Sequence, residues 1–258
     1  MSVQPRDLIR DIAAATILLT RLPLRWERFS GSAPDLNLAI WAFPVVGAGV
    51  GLGAGIVYSV ADGFGLPGLV AAALAVCVMV VLTGAMHEDG LADVADGFGG
   101  GLGVAAKLEI MRDSRVGAYG VIGIVMALVL RVGGLSVLDV SDAIVMLVVA
   151  GMVSRLGMTL VMRFMEPARN DGLAHDSGKP TQNRVLAGAA VTNVVSLVLL
   201  EAEVLVFTLI VAAVTCLAAA AFARRQINGF TGDVLGAIQQ VTEIAVMLVL
   251  VSFYHGAT

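Results

Sequence analysis

Apolar runs long enough to cross a membrane recur along the whole chain. A helix needs about 20 mostly apolar residues to span a hydrocarbon core of about 30 Å. The period-two alternation of a membrane β-strand is absent from these runs. The pattern therefore predicts an all-α, polytopic membrane protein with about seven transmembrane helices, the fifth of them short. The predicted spans are Leu38–Val60, Leu66–Met86, Ala118–Leu138, Ala143–Met162, Val185–Leu200, Val204–Ala223 and Val234–Tyr254.

The segment before the first span has a mixed pattern. Leu8–Leu19 is largely apolar, but it contains Arg10 and Asp11 and is followed by Arg21. We therefore expect residues 1–34 to form an amphipathic segment whose helix lies in the membrane interface. A secretory signal peptide is disfavoured, because no small-residue cleavage site follows the apolar stretch.

Composition strengthens this interpretation. Of 258 residues, 58% are hydrophobic and 14% are charged, and a chain this apolar does not cover a water-facing surface. The 16 basic and 20 acidic residues do not supply the basic surface of a nucleic-acid-binding protein. We expect residues 1–258 to form a single integral membrane domain, with Cys77 and Cys216 as small buried hydrophobes.

The basic residues lie almost entirely in alternate connections between the spans. The other connections carry acidic residues, with Arg131 as the one basic residue near them, while Arg155 lies inside the fourth span. By the positive-inside rule, we expect the N-terminus and the long loops to be cytoplasmic. The basic connections carry Arg6, Arg10, Arg21, Arg25, Arg28, Lys107, Arg112, Arg115, Arg163, Arg169, Lys179, Arg184, Arg224 and Arg225.

The densest polar signal lies in the loop 87–116. Its residues Asp89, Asp93 and Asp96 have the spacing i, i+4, i+7, which places three carboxylates on one stripe of a helix. Mg²⁺ is typically held by a few carboxylates together with substrate phosphates. The stripe therefore indicates either a metal site or a solvated acidic face.

Cations follow that stripe in the same loop. Arg112 and Arg115 flank Asp113, and guanidinium groups suit phosphate recognition. The alternative is ordinary positive charge beside a membrane span. Carboxylates, a metal and arginines together are typical of phosphoryl transfer, so we expect a catalytic role for this loop.

A second polar stretch, residues 224–233, precedes the last span. Within it, Thr231 and Asp233 either cap the following helix or bind substrate. Glu243 lies inside that span, where an ionisable residue needs a partner, and we expect Arg155 to provide it. Such a pair serves either the architecture or transport.

Two histidines are candidate bases. His87 opens the acidic loop and His175 lies between the fourth and fifth spans. A single loop histidine is more often a solvated side chain, so both roles stay open.

These motifs closely resemble one enzyme family. HEDGLADVADG over residues 87–97 and EIMRDSRVGAYG over residues 109–120 are similar to the signature of the adenosylcobinamide-GDP ribazoletransferases, the cobalamin synthases of bacteria and archaea. Glu88 departs from the apolar residue more usual in that family. The resemblance covers essentially the full chain. Further landmarks occur in the family's order: TRLP at 20–23, FPVVG at 43–47, ARNDG at 168–172 and TGDVLGA at 231–237.

The resemblance implies an integral membrane, Mg²⁺-dependent phosphotransferase. The ribose 3′-hydroxyl of α-ribazole, or of its 5′-phosphate, attacks the phosphorus next to cobinamide in adenosylcobinamide-GDP and releases GMP. The expected partners are these substrates and membrane lipid, with no nucleic acid. A homo-oligomer, or association with other enzymes of cobalamin assembly, is left open.

The resemblance also implies roles for particular residues. Four aspartates bind Mg²⁺, one of which doubles as the candidate general base. Two arginines neutralise phosphate charge, and three other residues bind substrate. These sets are Asp89, Asp93, Asp96 and Asp113 for the metal, Asp96 for the base, Arg112 and Arg115 for catalysis, and Arg169, Thr231 and Asp233 for substrate.

Two rival functions remain at this point. A CDP-alcohol phosphotransferase with a lipid acceptor is expected to show an Asp-Gly-x-x-Ala-Arg motif, but Asp93 occupies the place of that arginine. A secondary transporter is suggested by Arg155 and Glu243, and it predicts an inverted repeat that we do not find.

Overall fold

All the regular elements in the described part of the chain are helices. The computed structural model describes residues 5–29, 34–172 and 178–255. Short 3-10 turns at Trp26–Arg28 and Ile40–Ala42 accompany the α-helices. The α-helices are α1 (Pro5–Leu19), α2 (Leu36–Ala39), α3 (Phe43–Gly63), α4 (Gly68–Thr83), α5 (Met86–Gly100), α6 (Val104–Ile110), α7 (Ala118–Leu135), α8 (Val140–Phe164), α9 (Gln182–Leu199), α10 (Ala202–Ile227) and α11 (Gly232–Tyr254).

The fold confirms a polytopic helical membrane protein. Among the described residues, five helices are long and apolar enough to cross a membrane: the continuous stretch Leu36–Gly63, α7, α8, α10 and α11. Helices α4 and α5 meet the same test only as a pair, which raises the number to six.

The predicted fifth span, Val185–Leu200, corresponds to α9, which is long enough to cross a membrane but is less apolar than the other spans. Polar residues interrupt its apolar pattern, including the buried side chains of Thr192 and Ser196 and the exposed side chain of Asn193. The hydroxyl of Thr192 donates to the carbonyl of Gly188 within the helix. This helix packs mainly against α8 and the short turn before α3.

A sharp corner separates α4 from α5. Gly84 and Ala85 both have positive φ, 66° and 58°, and the chain bends by 87° there. The N–H of Arg21 donates to the carbonyl of Leu82 at 2.7 Å, so the segment after α1 covers the end of α4. Helix α5 consequently leaves the direction of α4 and packs against α7 and α11.

Helix α8 forms the centre of the bundle. In its most apolar 18-residue stretch, 78% of the residues are buried, against 22% in α7 and 28% in α10. Its backbone touches that of α3, since a Cβ on Gly47 would lie 2.0 Å from the carbonyl oxygen of Gly151. Small residues permit such close approach between membrane helices. The exposed apolar faces of α7 and α10 are therefore the surfaces suited to lipid.

Helix α1 exists as predicted and is docked on the bundle by one face. Ala13–Ala15 and Leu19 are buried, whereas Leu8 and Ile9 are exposed. Asp11 is buried and accepts hydrogen bonds from the indole of Trp41 (2.8 Å) and from Arg184 (2.7 Å). Its place in the membrane interface stays a prediction.

One end of the bundle collects the polar connections. The contacts of α8 run antiparallel to α3 and α11, while α7 and α11 run parallel. The starts of α3, α7 and α11 and the ends of α8 and α10 therefore lie at the same end, together with α5, α6 and the loop after α8. We call this end the loop face.

Candidate active site at the loop face

The predicted acidic loop is built from two helices, α5 and α6. Within α5, bare backbone at Gly90 lets the helix meet the start of α11, since a Cβ there would lie 2.7 Å from the carbonyl oxygen of Asp233. This contact brings Asp89 and Asp93 of α5 toward Asp233. We refer to Asp89, Asp93 and Asp233 as the acidic cluster.

Within the described part of the chain, the acidic cluster gathers three carboxylates against the guanidinium of Arg169, so its negative charge is only partly offset. The pKa of Asp93 is raised from 3.8 to about 7, first by burial and then by the carboxylates of Asp89, Asp233 and Asp96, while Arg169 acts in the opposite direction. No described residue donates a hydrogen bond to the side chain of Asp89 or Asp93. Both desolvation and like charge disfavour the ionised form of a carboxyl group. The site is therefore suited to a cation.

Asp96 has a different local role. Its two carboxylate oxygens accept hydrogen bonds from the backbone N–H groups of Gly117 (2.7 Å) and Gly120 (2.9 Å) at the start of α7. The first N–H groups of a helix lack intrahelical partners, so this carboxylate caps α7 from across the site. A Cβ on Gly120 would lie 2.4 Å from Asp96, which explains the small residue there.

Asp113 is engaged away from the acidic cluster. The guanidinium of Arg115 bonds both of its oxygens, with Nε at 3.0 Å from each. These hydrogen bonds lower the pKa of Asp113 from 3.8 to about 2. The structure does not bring Asp113 to the carboxylates that act on Asp93.

The two predicted phosphate-binding arginines each have a carboxylate partner at the surface. Arg112 contacts both oxygens of Asp171 at 2.7 and 2.8 Å, and Arg115 holds Asp113 with its own side chain 87% exposed. Exposed ion pairs of this kind are worth about 0–1 kcal/mol. Exchanging these partners for a phosphate group is therefore energetically inexpensive.

Arg169 stands closest to the acidic cluster, because two loops pair beside it. The N–H of Phe230 donates to the carbonyl of Glu166 (3.1 Å), and the N–H of Ala168 donates to the carbonyl of Phe230 (2.8 Å). Gly229 permits this approach, since a Cβ would lie 2.6 Å from the oxygen of Glu166. Arg169 is thereby held beside the start of α11.

The contacts of Arg169 leave part of its guanidinium without a partner. One terminal nitrogen donates to the carbonyl of Leu108 at 2.9 Å, and the other lies 4.0 Å from Asp233. Its Nε is buried and has no hydrogen-bond partner among the described residues. Thr231 caps α11 by accepting from the N–H of Val234 (3.3 Å) and also donates to Asp233 (3.1 Å). The capping role predicted for Thr231 is therefore present beside the acidic cluster.

The donor chemistry of the acidic cluster fits Mg²⁺, although the protein does not enclose an ion. In the described ranges, no three His, Cys, Asp or Glu side chains converge closely enough to hold a metal by themselves. Mg²⁺ commonly takes only one or two protein carboxylates and completes its shell with substrate phosphates and water. The carboxylates of Asp89 and Asp93, which accept no hydrogen bond from the described residues, match that pattern.

Sequence reasoning missed a buried ionic network directly beneath the acidic cluster. Arg131, expected near the opposite connections, is 1% exposed inside the bundle and bonds Glu88 at 2.7 Å. It also lies 3.2 Å from Glu243, while Arg155 lies 3.8 Å from Glu243, which confirms the predicted pair. The unusual Glu88 was the sequence signal for a second buried cation. We call the set Glu88, Arg131, Arg155, Gln239, Gln240 and Glu243 the core network.

The two candidate histidines have different outcomes. His87 is not a solvated loop residue, because it is 1% exposed at the start of α5. Its Nε2 is buried without a hydrogen-bond partner in the described part of the chain. His175 lies outside the described residues.

Fold and site together define a polytopic helical membrane protein with a carboxylate- and arginine-lined site at one end of its bundle. The chain belongs to the cobalamin-5-phosphate synthase family, whose sequence profile matches residues 11–251. This confirms the resemblance seen in the loop motifs.

Named relatives agree with this membership. The chain is 44% identical over 250 residues to the adenosylcobinamide-GDP ribazoletransferase of Mesorhizobium japonicum, covering 96% of this chain and 95% of the relative. It is 41% identical to the enzyme of that name in Azorhizobium caulinodans, covering 93% and 95%, and 40% identical to that in Bradyrhizobium diazoefficiens, covering 97% and 96%. No solved structure matches the chain significantly. These findings do not favour the CDP-alcohol phosphotransferase or the transporter.

Proposed function

We propose that this chain performs the transfer after which its relatives are named, in the last assembly step of cobalamin. The ribose 3′-hydroxyl of α-ribazole, or of its 5′-phosphate, attacks the phosphorus next to cobinamide in adenosylcobinamide-GDP. A new phosphorus–oxygen bond forms to the ribose, the bond from that phosphorus to the bridging oxygen breaks, and GMP leaves with that oxygen. The proton of the hydroxyl passes to a base. The observation that carries the proposal is the acidic cluster facing Arg169 at the loop face.

Asp89 and Asp93 are the residues that would hold Mg²⁺, with the carboxylate of Asp233 alongside. Mg²⁺ bound there would neutralise charge on the diphosphate as the bond to the leaving group breaks. The support is that neither Asp89 nor Asp93 receives a hydrogen bond from the described protein, and that a cation offsets their mutual repulsion. Asp113, tied to Arg115, is less suited to this role.

Arg169 is the best-placed arginine for the diphosphate. It is 16% exposed, stands beside Asp233 and has a buried Nε with no described partner. A phosphate oxygen meeting that donor would form a charge-assisted hydrogen bond. Arg112 and Arg115 would join it by releasing their surface carboxylates, and they would meet the more exposed phosphate of the leaving GMP.

Asp96 is suited to positioning in this scheme. Both of its oxygens are engaged by the backbone of α7, so it fixes α5 against that helix and holds the stripe of carboxylates in place. Its earlier assignment as general base requires one of those bonds to break. The side chains of Asp89 and Asp93 accept no hydrogen bond from the described residues, and we favour one of these two carboxylates as the base.

We further propose that the loop face is cytoplasmic and that the protein lies in the inner membrane. The asymmetry of the basic residues supports this orientation. A cysteine at Leu102, which is 95% exposed at the loop face, would react with an impermeant maleimide only in inverted vesicles. A cysteine at Phe64, 82% exposed at the other end, would react only from the outside, and the native cysteines are replaced in both variants. The reverse labelling pattern would overturn the orientation.

A homo-oligomer stays a prediction.

The function itself is tested with the purified protein in detergent. Incubation with adenosylcobinamide-GDP, α-ribazole and Mg²⁺ should yield cobalamin and GMP in equal amounts. Replacing the substrates by a CDP-alcohol and a lipid acceptor should yield no CMP. CMP release without GMP release would overturn the proposal.

A further inference from the structure

An apolar cavity opens beside the acidic cluster, between α1, α3, α5, α8 and α11. Its volume is about 100 Å³, and its walls are mainly Leu, Met and Phe side chains, including Leu19, Phe43, Met158 and Met162. These four side chains are buried in the bundle. Because methionine side chains are flexible, such a cavity adapts to the outline of a ligand. We call it the His87 cavity.

His87 is the polar side chain in the wall of this cavity. It is 1% exposed, and its Nε2 finds no hydrogen-bond partner in the described residues. A buried polar atom without a partner is unfavourable, and a ligand that bonded Nε2 would remove that penalty.

The His87 cavity and the acidic cluster share the same two helices. His87 lies two residues before Asp89 on α5, and Gly232, which lines the cavity, directly precedes Asp233 on α11. A Cβ on Gly236 would lie 3.3 Å from the Cα of His87, so the helices touch at this point. Because His87 and Asp89 point to opposite sides of α5, a ligand seated in the cavity would approach the acidic cluster past Gly232, from the side of Asp233.

The lining of the cavity suits some parts of the proposed substrates and not others. The identity of the ligand inferred here therefore rests on the proposed function. Guanine presents several donors and acceptors at its edges, and the corrinoid is large and carries many amides. An apolar wall with one imidazole does not satisfy such groups. The base of α-ribazole is a dimethylated benzimidazole, which is a flat, apolar bicycle with one free ring nitrogen. That nitrogen accepts a single hydrogen bond.

We propose that the His87 cavity binds the benzimidazole ring of the acceptor, with His87 Nε2 donating to the free ring nitrogen and the ribose leaving the cavity past Gly232, beside Asp233. The Leu, Met and Phe side chains surround the two methyl groups. The cavity thereby selects the acceptor, while Arg169 and the acidic cluster bind the diphosphate of the donor.

Binding of the free base provides a test that needs no catalysis. Purified protein, without Mg²⁺ or donor, should bind 5,6-dimethylbenzimidazole saturably in calorimetry, and it should bind guanine much more weakly. Gly232→Val should weaken binding of the benzimidazole about tenfold or more, because a Cβ there meets no protein atom within 4 Å and so occupies free space at the cavity. Gly49→Val is the matched control, since Gly49 is equally open but lines a different cavity with Thr16 and Val50.

Kinetics test the hydrogen bond. His87→Phe keeps a ring of similar size but removes both nitrogens, and it should raise the KM for α-ribazole about tenfold while leaving the KM for adenosylcobinamide-GDP unchanged. Gly232→Val should produce the same selective change, which covers the case in which the His87 variant does not fold.

The outcomes separate this inference from the function on which it rests. Loss of base binding in Gly232→Val, but not in Gly49→Val, supports the cavity even if the wild type forms no cobalamin. Cobalamin formation without saturable base binding overturns the cavity and leaves the function intact. Equal effects of the two glycine variants, or equal increases in both KM values, also overturn the cavity.

Discussion

Two consecutive acidic residues at the start of α5, Glu88 and Asp89, lie in opposite environments. The side chain of Glu88 is buried in the core network, where Arg131 bonds it at 2.7 Å. Asp89 lies about 100° further round the helix, is exposed and accepts no side-chain hydrogen bond from the described residues. The core network balances two carboxylates with two guanidinium groups, whereas the acidic cluster gathers three carboxylates against Arg169.

The contrast indicates that the core network serves stability and the neighbouring acidic cluster serves function. A buried charge that has a partner fixes the helices that share it, and its removal leaves an uncompensated charge in the bundle. A half-exposed cluster of like charges instead stores repulsion that a bound cation or substrate relieves. We therefore expect changes in the core network to lower stability, and changes in the acidic cluster to lower activity without lowering stability.

The largest expected effect on stability comes from Arg131→Met. This change leaves Glu88 and Glu243 without their nearest cation, and breaking a buried pair in this way costs about 3–5 kcal/mol. Unfolding in detergent should show a correspondingly lower free energy of unfolding. The double variant with Glu88→Met should recover part of the loss, because Arg155 still balances Glu243. Arg115→Met, at an exposed site, is the control, and equal losses in the two single variants would contradict the comparison.

Asp93→Asn should produce the opposite profile. Removing one carboxylate relieves repulsion from Asp89 and Asp233, so we expect the melting temperature to stay constant or rise. Transfer should fall about a hundredfold or more, which corresponds to about 3 kcal/mol of transition-state stabilisation. Asp171→Asn, a surface carboxylate of the same loop face, should keep nearly full activity. A stable Asp93→Asn variant with wild-type transfer would remove Asp93 from the site.

The pKa of Asp93 predicts a pH dependence of moderate size. Because its folded-state pKa, about 7, lies above the ordinary value of 3.8, its contribution to stability is fully present below pH 4 and is lost as pH rises through 7. Mg²⁺ needs the ionised carboxylate, so its affinity should increase over the upper part of that range. Thermal unfolding with and without Mg²⁺ at pH 5 and pH 8 measures both effects. Mg²⁺ should stabilise the protein more at pH 8, and Asp93→Asn should abolish the difference.

The smallest effects are expected at two arginines of the loop face, Arg115 and Arg169. Arg115→Ala breaks only an exposed pair with Asp113, so we expect stability to change by less than about 1 kcal/mol and transfer to fall only a few-fold. Arg169→Ala should raise the KM for the diphosphate substrate about tenfold, because it removes a half-buried cation beside the acidic cluster. Steady-state kinetics on both variants rank the two arginines. A larger loss in Arg115→Ala would reverse the assignment.

The sequence predicted the parts of this structure that follow from local pattern. Apolar runs located the main spans, and the spacing of Asp89, Asp93 and Asp96 indicated their shared helix. The short fifth span was predicted at α9, where Thr192 and Ser196 make the helix less apolar than the other spans. The corner at Gly84 and Ala85, where two successive residues adopt positive φ, was also not predicted.

The pairing of the charged residues was harder to predict. The Arg155–Glu243 pair followed from burial alone, since each needed a partner inside the membrane. The position of Arg131 depends on the packing of α7 against α5 and α11, which joins residues more than 40 positions apart. The position of Asp96 likewise depends on helix packing, because α5 must lie against the start of α7 before this carboxylate meets the N–H groups of Gly117 and Gly120.

The most direct test of the central claim compares Glu88→Gln with Asp89→Asn, the same change of carboxylate to amide at adjacent positions. Each variant is purified and measured for its melting temperature and for the joint formation of cobalamin and GMP. We predict that Glu88→Gln lowers the melting temperature, whereas Asp89→Asn melts like the wild type and forms neither product at a significant rate. Wild-type transfer by Asp89→Asn, or a loss of stability equal to that of Glu88→Gln, would contradict the account.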